Sequence, residues 1–296
     1  MSIRRLLNRI LDLLFFIYLV GTFGLTLFVW FDRTNISWVE FLRTAYWLGL
    51  WSVIPVLGGA VILRRRRVVA LLTIPLTVLI LYYLPLFLPK SPTSPPDSQQ
   101  ITVMTYNILR SSTGGEAMAR VIREANADVV ALQELSGTIA TYLSESLADI
   151  YPHQALHPQD GAGNYFRGQG VFSRYPIIED DYWQFDIPIE MSHGHQRVLL
   201  DVDGSPVVLF NTHAWPPFDW QGGVFFGYTR WEDQGHRMSI EGIVERVDAE
   251  TDYPVILVGD LNMSEEFAEY AMLTDRLTDS FRAVGRGTGF TYPARG

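Results

Sequence analysis

Residues 205–213 read SPVVLFNTH and residues 253–262 read YPVILVGDLN, each a short apolar, β-branched run that stops on polar side chains. Such runs, bounded by Pro, Gly and Asp, predict buried strands. The same grammar recurs in ITVMTYNIL (101–109), ADVVALQEL (127–135), GVFSRYPI (170–177) and RVLLDVDG (197–204). Helical spacing separates them at 116–126, 139–148 and 229–249. Alternating strands and helices predict an α/β or layered mixed fold over residues 101–296.

Upstream the composition changes. Residues 13–31, 44–63 and 68–89 are three uncharged apolar stretches, each near the ~20 residues that cross a bilayer core. They predict three transmembrane helices in residues 1–89, too long and too numerous for a signal peptide. Residues 90–100, KSPTSPPDSQQ, form a Pro/Ser-rich linker. Arg4, Arg5 and Arg9 precede the first stretch and Arg64–Arg67 separate the second from the third, so both basic groups are expected on the cytoplasmic side. Three crossings then place the following domain outside the cytoplasm of a bacterial cell, with Trp30, Trp38, Trp47 and Trp51 near the outer interface.

Charge divides along the same boundary. Residues 1–92 carry +7 and residues 93–296 carry −16. An acidic domain repels polyanions, which argues against a broad grip on nucleic acid. With no cysteine, thiolate zinc sites, disulfides and cysteine nucleophiles are excluded.

The polar residues at the strand ends are the candidate site: Asn107, Glu134, His213, Asp260 and Asn262. Strand ends on one sheet edge can converge on one pocket. Carboxylate and amide oxygens suit a hard cation such as Mg²⁺ or Mn²⁺, and an imidazole beside Asp and Asn suits proton transfer and oxyanion binding. Together they fit metal-assisted hydrolysis of a phosphate ester.

On TYN (105–107), QE (133–134), GVFSRYPI (170–177), NTH (211–213), GDLN (259–262) and GFTYP (289–293), the sequence resembles the endonuclease/exonuclease/phosphatase superfamily of DNase I-like fold. That group includes sphingomyelinases and inositol polyphosphate 5-phosphatases. The resemblance implies a four-layer αββα sandwich. It makes Asn107 and Glu134 metal-site residues, with Glu134 the main ligand. His213 becomes a donor to the phosphoryl oxygen or leaving group, Asp260 orients the nucleophilic water or the imidazole, and Asn262 binds phosphoryl oxygens. Three spans before such a domain look most like a bacterial membrane-anchored branch associated with glycopeptide resistance.

The resemblance also implies a closing strand and a Ser-Asp-His motif after GFTYP. The sequence stops at Gly296 with no histidine beyond His236, so the sandwich is expected to be C-terminally truncated, lacking its general base and one acidic metal-site residue. His213 would not replace that base, because acid and base act on opposite sides of an in-line displacement.

Other residues receive milder readings. His193-Gly194-His195 reads as a solvated loop rather than a metal pair, and Glu179-Asp180-Asp181 as an exposed acidic turn. Arg174 is expected to brace a turn or a carboxylate, and Arg230, Gln234 and Arg237 to share a helix face. The aromatic segment 214–229, AWPPFDWQGGVFFGYT, reads equally as a loop dipping into the membrane interface or one packed on its own domain. The expected activity is phosphomonoester, phosphodiester or pyrophosphate hydrolysis on a lipid-linked substrate, impaired in the 296-residue chain by the missing C-terminal motif. A nuclease of the same superfamily and a non-catalytic membrane sensor or binding module are the alternatives.

Overall fold

The computed structural model describes residues 3–31, 46, 49–88, 90, 98–109, 114–161, 167–185, 192–223, 227–231, 234–289 and 291. The chain divides into two compact units, Met1–Pro95 with Ser264–Gly296, and Pro96–Met263.

In the second unit the strands are β1 (Val103–Asn107), β2 (Val129–Gln133), β3 (His153–His157), β4 (Gln169–Ser173), β5 (Ile177–Gln184), β6 (Gly194–Val202), β7 (Ser205–His213), β8 (Phe218–Gly223), β9 (Gly227–Trp231) and β10 (Val255–Asp260). They form two four-stranded sheets, ordered β1-β2-β4-β3 and β10-β7-β6-β5, and a β8-β9 ribbon. Alternation along each strand sorts side chains to two faces. Val129, Ala131, Val171, Val198, Leu200 and Leu209 pack in one core cluster between the sheets. The other face of the first sheet, with Val130, Leu132 and Phe172, packs on Met118 and Ile122 of a helix at Gly115–Ala125 and on Ile139 and Leu143 of a helix at Gly137–Ser146. Beyond the second sheet lies a helix at Gln234–Ala249, where the Arg246 guanidinium sits 4.0 Å over the Trp183 ring of β5. The layers run helix, sheet, sheet, helix, as expected for the αββα sandwich.

The interior between the sheets is not wholly apolar. Gln133 Nε2 donates to Asn211 Oδ1 at 2.7 Å, and Asn211 Nδ2 donates back across to the Leu132 carbonyl at 3.0 Å. Both side chains are buried. This amide pair bolts β2 to β7 one and two residues before Glu134 and His213.

Two readings of this unit are corrected. The acidic run 179–181 is part of β5 rather than a turn, and its carboxylates face partners: Glu179 pairs with Arg197, Asp180 with His157 and Asp181 with Arg246. Burial raises the Asp180 carboxyl, but hydrogen bonds from His157 and Gln196 outweigh it and hold the group below its usual range. The helix expected from Thr229 starts at Gln234, so Arg230 lies on β9 and does not share its face. Arg174 braces as expected, donating to Asp128 at 3.0 Å and to Asn126 at 2.5 Å.

In the first unit, α1 (Ile3–Phe31), α2 (Val53–Ile62) and α3 (Arg66–Phe87) are strongly apolar. Two windows are long and apolar enough to cross a membrane, Asn8–Phe28 and Arg66–Phe87, with only 11% and 22% of them buried. Among the described residues the expectation of three such helices is corrected for the middle stretch, where the apolar helix Gly49–Ile62 is shorter. Within it, Ser52 Oγ donates to the Gly49 carbonyl at 2.6 Å. Part of the expected middle span, including Trp47, lies outside the described residues, as do Trp38, linker residues 91–97, Phe225, Phe226 and Phe290, Tyr292 and Pro293 of GFTYP.

Polar contacts knit these helices. Tyr18 and Ser52 share a 2.8 Å hydrogen bond, and Tyr46 donates to Thr26 at 3.1 Å. Arg65, in the turn between α2 and α3, reaches Asp12 at 3.1 Å and Asn8 at 2.6 Å. That turn therefore lies beside the first turns of α1, bringing the two arginine groups to one end. Residues 264–296 belong to this unit, where Tyr82 meets Glu266 and the Leu86 carbonyl accepts from Gly287.

Candidate active site

Parallel pairing sets the frame. In β1 and β2, Asn107 registers with Gln133; in β10 and β7, Asp260 registers with His213. Both pairs end at their carboxyl ends, so the polar residues that stop each apolar run gather where the two sheets meet. Asn107 Nδ2 donates to Glu134 Oε1 at 3.0 Å and to Asp260 Oδ2 at 2.9 Å. One amide thus joins a carboxylate from each sheet. Its own Oδ1 accepts from the Leu109 N–H at 2.9 Å, which fixes the amide's orientation.

His213 is 2% exposed, and its Nε2 lies 4.0 Å from Asp260 Oδ2. Asp260 Oδ1 in turn accepts from the Asn262 backbone N–H at 3.0 Å, and Asn262 Nδ2 donates to the Ala214 carbonyl at 2.9 Å. All five residues singled out from sequence are therefore connected through hydrogen bonds or close approach.

The backbone is strained at these ends. Glu134, Asn262 and Leu109 adopt φ of 63°, 49° and 42°. Left-handed backbone at non-glycine residues is uncommon and clusters where the surrounding structure over-determines it. Gly259 has φ 143°, and a Cβ there would stand 1.9 Å from the Thr212 carbonyl oxygen, so only glycine brings β10 this close to β7.

Carboxylate oxygens of the kind gathered here suit a hard divalent ion. Two carboxylates converge on one amide, with Glu134 4% exposed, and all the donors are oxygen or amide groups. Among the described residues, no group of three or more His, Cys, Asp or Glu is arranged as a metal cage. Glu134 and Asp260 are the two carboxylates available, and Asn107 presents its N–H groups, rather than its oxygen, to them.

The HGH segment departs from its expected place. His193 and His195 are buried, 4% and 1% exposed, and β6 begins at Gly194. The His193 ring lies 4.0 Å from the His213 ring, and its Nδ1 is 3.1 Å from the Ala214 carbonyl. Burial, then repulsion from His213 and His195, pushes its pKa well below the usual histidine range. His195 faces away, stacked 5.4 Å from Trp183 and 4.7 Å from Phe185. Burial pushes this ring down to about 3. His236, the most carboxy-terminal histidine, is also buried, with Nδ1 2.7 Å from the Trp215 carbonyl.

A ring that is neutral when folded and protonated when unfolded has a defined effect on stability. Below the unfolded value of ~6.5 the unfolded chain takes up a proton that the native chain refuses. His195 should therefore cost about 2 kcal/mol of stability at pH 5 relative to pH 7.5. Urea unfolding of detergent-solubilised protein should show that loss in the parent and a smaller one, by this amount, in His195→Phe. Parallel pH dependence in the two proteins would contradict the assignment.

No curated protein matches the chain at a significant level. Among solved structures, sphingomyelinase C from Streptomyces griseocarneus is 28% identical, with 60% of this chain and 70% of that one covered and a TM-score of 0.46. A β-hairpin deletion mutant of beta toxin from Staphylococcus aureus is 19% identical over 60% and 73%, at 0.48. A humanised D. rerio TDP2 is 18% identical over 58% and 66%, at 0.46. The profile of the Endonuclease/Exonuclease/phosphatase family matches residues 104–296, which takes in β1 to β10 and every strand-end residue of the site. The chain belongs to the Endonuclease/Exonuclease/phosphatase family.

Proposed function

We propose that this protein is a membrane-anchored, Mg²⁺- or Mn²⁺-dependent phosphohydrolase whose substrate is a lipid-linked phosphoester or pyrophosphate. The observation that carries the chemistry is the Asn107 amide bonded to both Glu134 and Asp260, one carboxylate from each sheet. Glu134 would hold the cation, with Asn107 assisting by steadying the Glu134 carboxylate, and the bound ion would neutralise charge on the phosphoryl oxygens. The chain's own groups do the rest. His213 donates a proton or hydrogen bond to the phosphoryl oxygen or leaving group. Asp260 orients that imidazole from 4.0 Å. Asn262, its amide tied to Ala214, contributes to binding the phosphoryl oxygens.

Anchoring is supported by the first unit. Its apolar windows are largely unburied, with Phe16 and Leu81 62% and 69% exposed, a surface that lipid would cover. The polar contacts Tyr18–Ser52 and Tyr46–Thr26 are the kind that join helices in a bilayer. The two arginine groups share one end, and the positive-inside tendency assigns that end to the cytoplasm. α3 runs away from that end, which would put the sandwich on the outer side of a bacterial inner membrane. Tethering raises the local concentration of membrane-borne substrates. The −16 charge of residues 93–296 disfavours nucleic acid as substrate.

The full chain should sediment with membranes, and its sandwich should be open to protease added to spheroplasts. At matched Mn²⁺ and salt it should release phosphate or headgroup from prenyl pyrophosphate or phospholipid faster than it nicks plasmid DNA. Protection from the protease would refute the orientation. A preference for plasmid would assign the protein to the nucleases of its family, and no turnover of any of the three would favour a binding module.

A further inference from the structure

The second imidazole beside His213 has no part in the mechanism above, and its surroundings are built with care. Arg167 Nε holds the Ser192 carbonyl at 3.1 Å, just before His193. At Gly194, just after it, a Cβ would stand 1.9 Å from the Arg167 carbonyl oxygen, so the chain can pass only as glycine. Between these two fixed points the His193 side chain turns inward. Its Nδ1 lies 3.1 Å from the Ala214 carbonyl, and its ring lies against those of His213 and Trp215, at 4.0 and 4.8 Å.

A carbonyl oxygen only accepts, so His193 must carry its proton on Nδ1 to make this bond, and burial favours that neutral form. The same oxygen accepts from Asn262 Nδ2 at 2.9 Å, while the Ala214 N–H donates to the Asp260 carbonyl at 2.9 Å. Ala214 is thus a junction. It is covalently attached to His213, hydrogen-bonded to Asn262 through the side chain and to Asp260 through the backbone.

We infer that His193 is a positioning residue for the phosphoryl site, holding His213 and Asn262 at a fixed spacing through the shared Ala214 carbonyl. The inference rests on the phosphohydrolase reading for its kinetic consequence, but the junction itself can be tested without turnover. Losing the Nδ1 donor leaves Asn262 to hold the Ala214 carbonyl without its second donor, which loosens the spacing of both side chains at once. A displacement of about 1 Å at such a site can cost on the order of a hundredfold in rate.

The test uses two variants of the full chain. His193→Phe keeps a ring against His213 and removes the donor. His193→Asn places an amide N–H near the position of Nδ1 and restores it. For turnover of bis(4-nitrophenyl) phosphate with Mn²⁺, kcat should fall tenfold or more in His193→Phe with KM within threefold. It should recover to within threefold of the parent in His193→Asn. A merely structural role would lower both variants in step with their unfolding midpoints. In parallel, ¹⁵N-imidazole spectra of His213 should move in His193→Phe and return toward the parent in His193→Asn. A folded His193→Phe protein with parental kcat, or with unmoved His213 signals, would overturn the inference. Equal losses in the two folded variants would also overturn it. If the parent turns over no phosphoester, the functional reading fails, and the spectra alone decide whether His193 holds the junction.

Discussion

His213→Ala should lower turnover of the preferred phosphoester by ~10²–10⁴, the range that positioned acid–base groups contribute. The expectation follows from where the imidazole sits. It ends β7, is almost wholly buried, and has an Asp260 carboxylate oxygen 4.0 Å from Nε2. A group desolvated and oriented in this way interacts with developing charge far more strongly than one in water. The loss should fall on kcat, because alanine at position 213 leaves Glu134, Asn107 and Asn262 to bind substrate. Near-ultraviolet circular dichroism should match that of the parent, since the strand's backbone pairing is untouched. Turnover within threefold of the parent, in a folded variant, would remove His213 from the chemistry.

Glu134→Gln should weaken Mn²⁺ binding tenfold or more, read by electron paramagnetic resonance of the free ion. A decade corresponds to about 1.4 kcal/mol, small beside the loss of a charged ligand to a divalent cation. The substitution isolates charge from shape. Glutamine has the same length, and its carbonyl oxygen can still accept from Asn107 Nδ2, so the link between the sheets survives. Asn107→Ala is the complementary experiment, since it frees both carboxylates from their shared amide and removes the assisting group. Equal Mn²⁺ affinity in Glu134→Gln and the parent would refute the assignment of Glu134 as the principal ligand.

The convergence of the five strand-end residues was legible in the sequence because strands expose their register there. An apolar run that stops on Asn107, or on Asp260, marks both a strand end and the residue left at the sheet edge. Parallel pairing then brings those edges together. What stayed hidden depended on partners distant in sequence. β5 looked like a turn because IIEDDYWQ carries three adjacent acids, and it is a strand because Arg197, His157 and Arg246 meet them from other elements. β3, HQALH, is polar at both ends and too short for periodicity to distinguish it from a loop. His193 looked solvated because its burial comes from the close pass of Gly194 over Arg167, and the sequence signal that might have exposed it was the glycine between two histidines.

The Gln133–Asn211 bond gives this architecture a property that packed hydrocarbon does not. Apolar surface attracts without direction, so two sheets held only by Val, Ala and Leu could slide over one another by a fraction of a residue at small cost. Here sliding would strip partners from two buried amides, at roughly 1–3 kcal/mol for each group left unmatched. The proposed chemistry draws on Glu134 from one sheet and on His213 and Asp260 from the other. The rung just beneath them works as a dowel, converting an interface tolerant of shear into one with a single alignment, so that the two half-sites keep their gauge even while the loops around them vary.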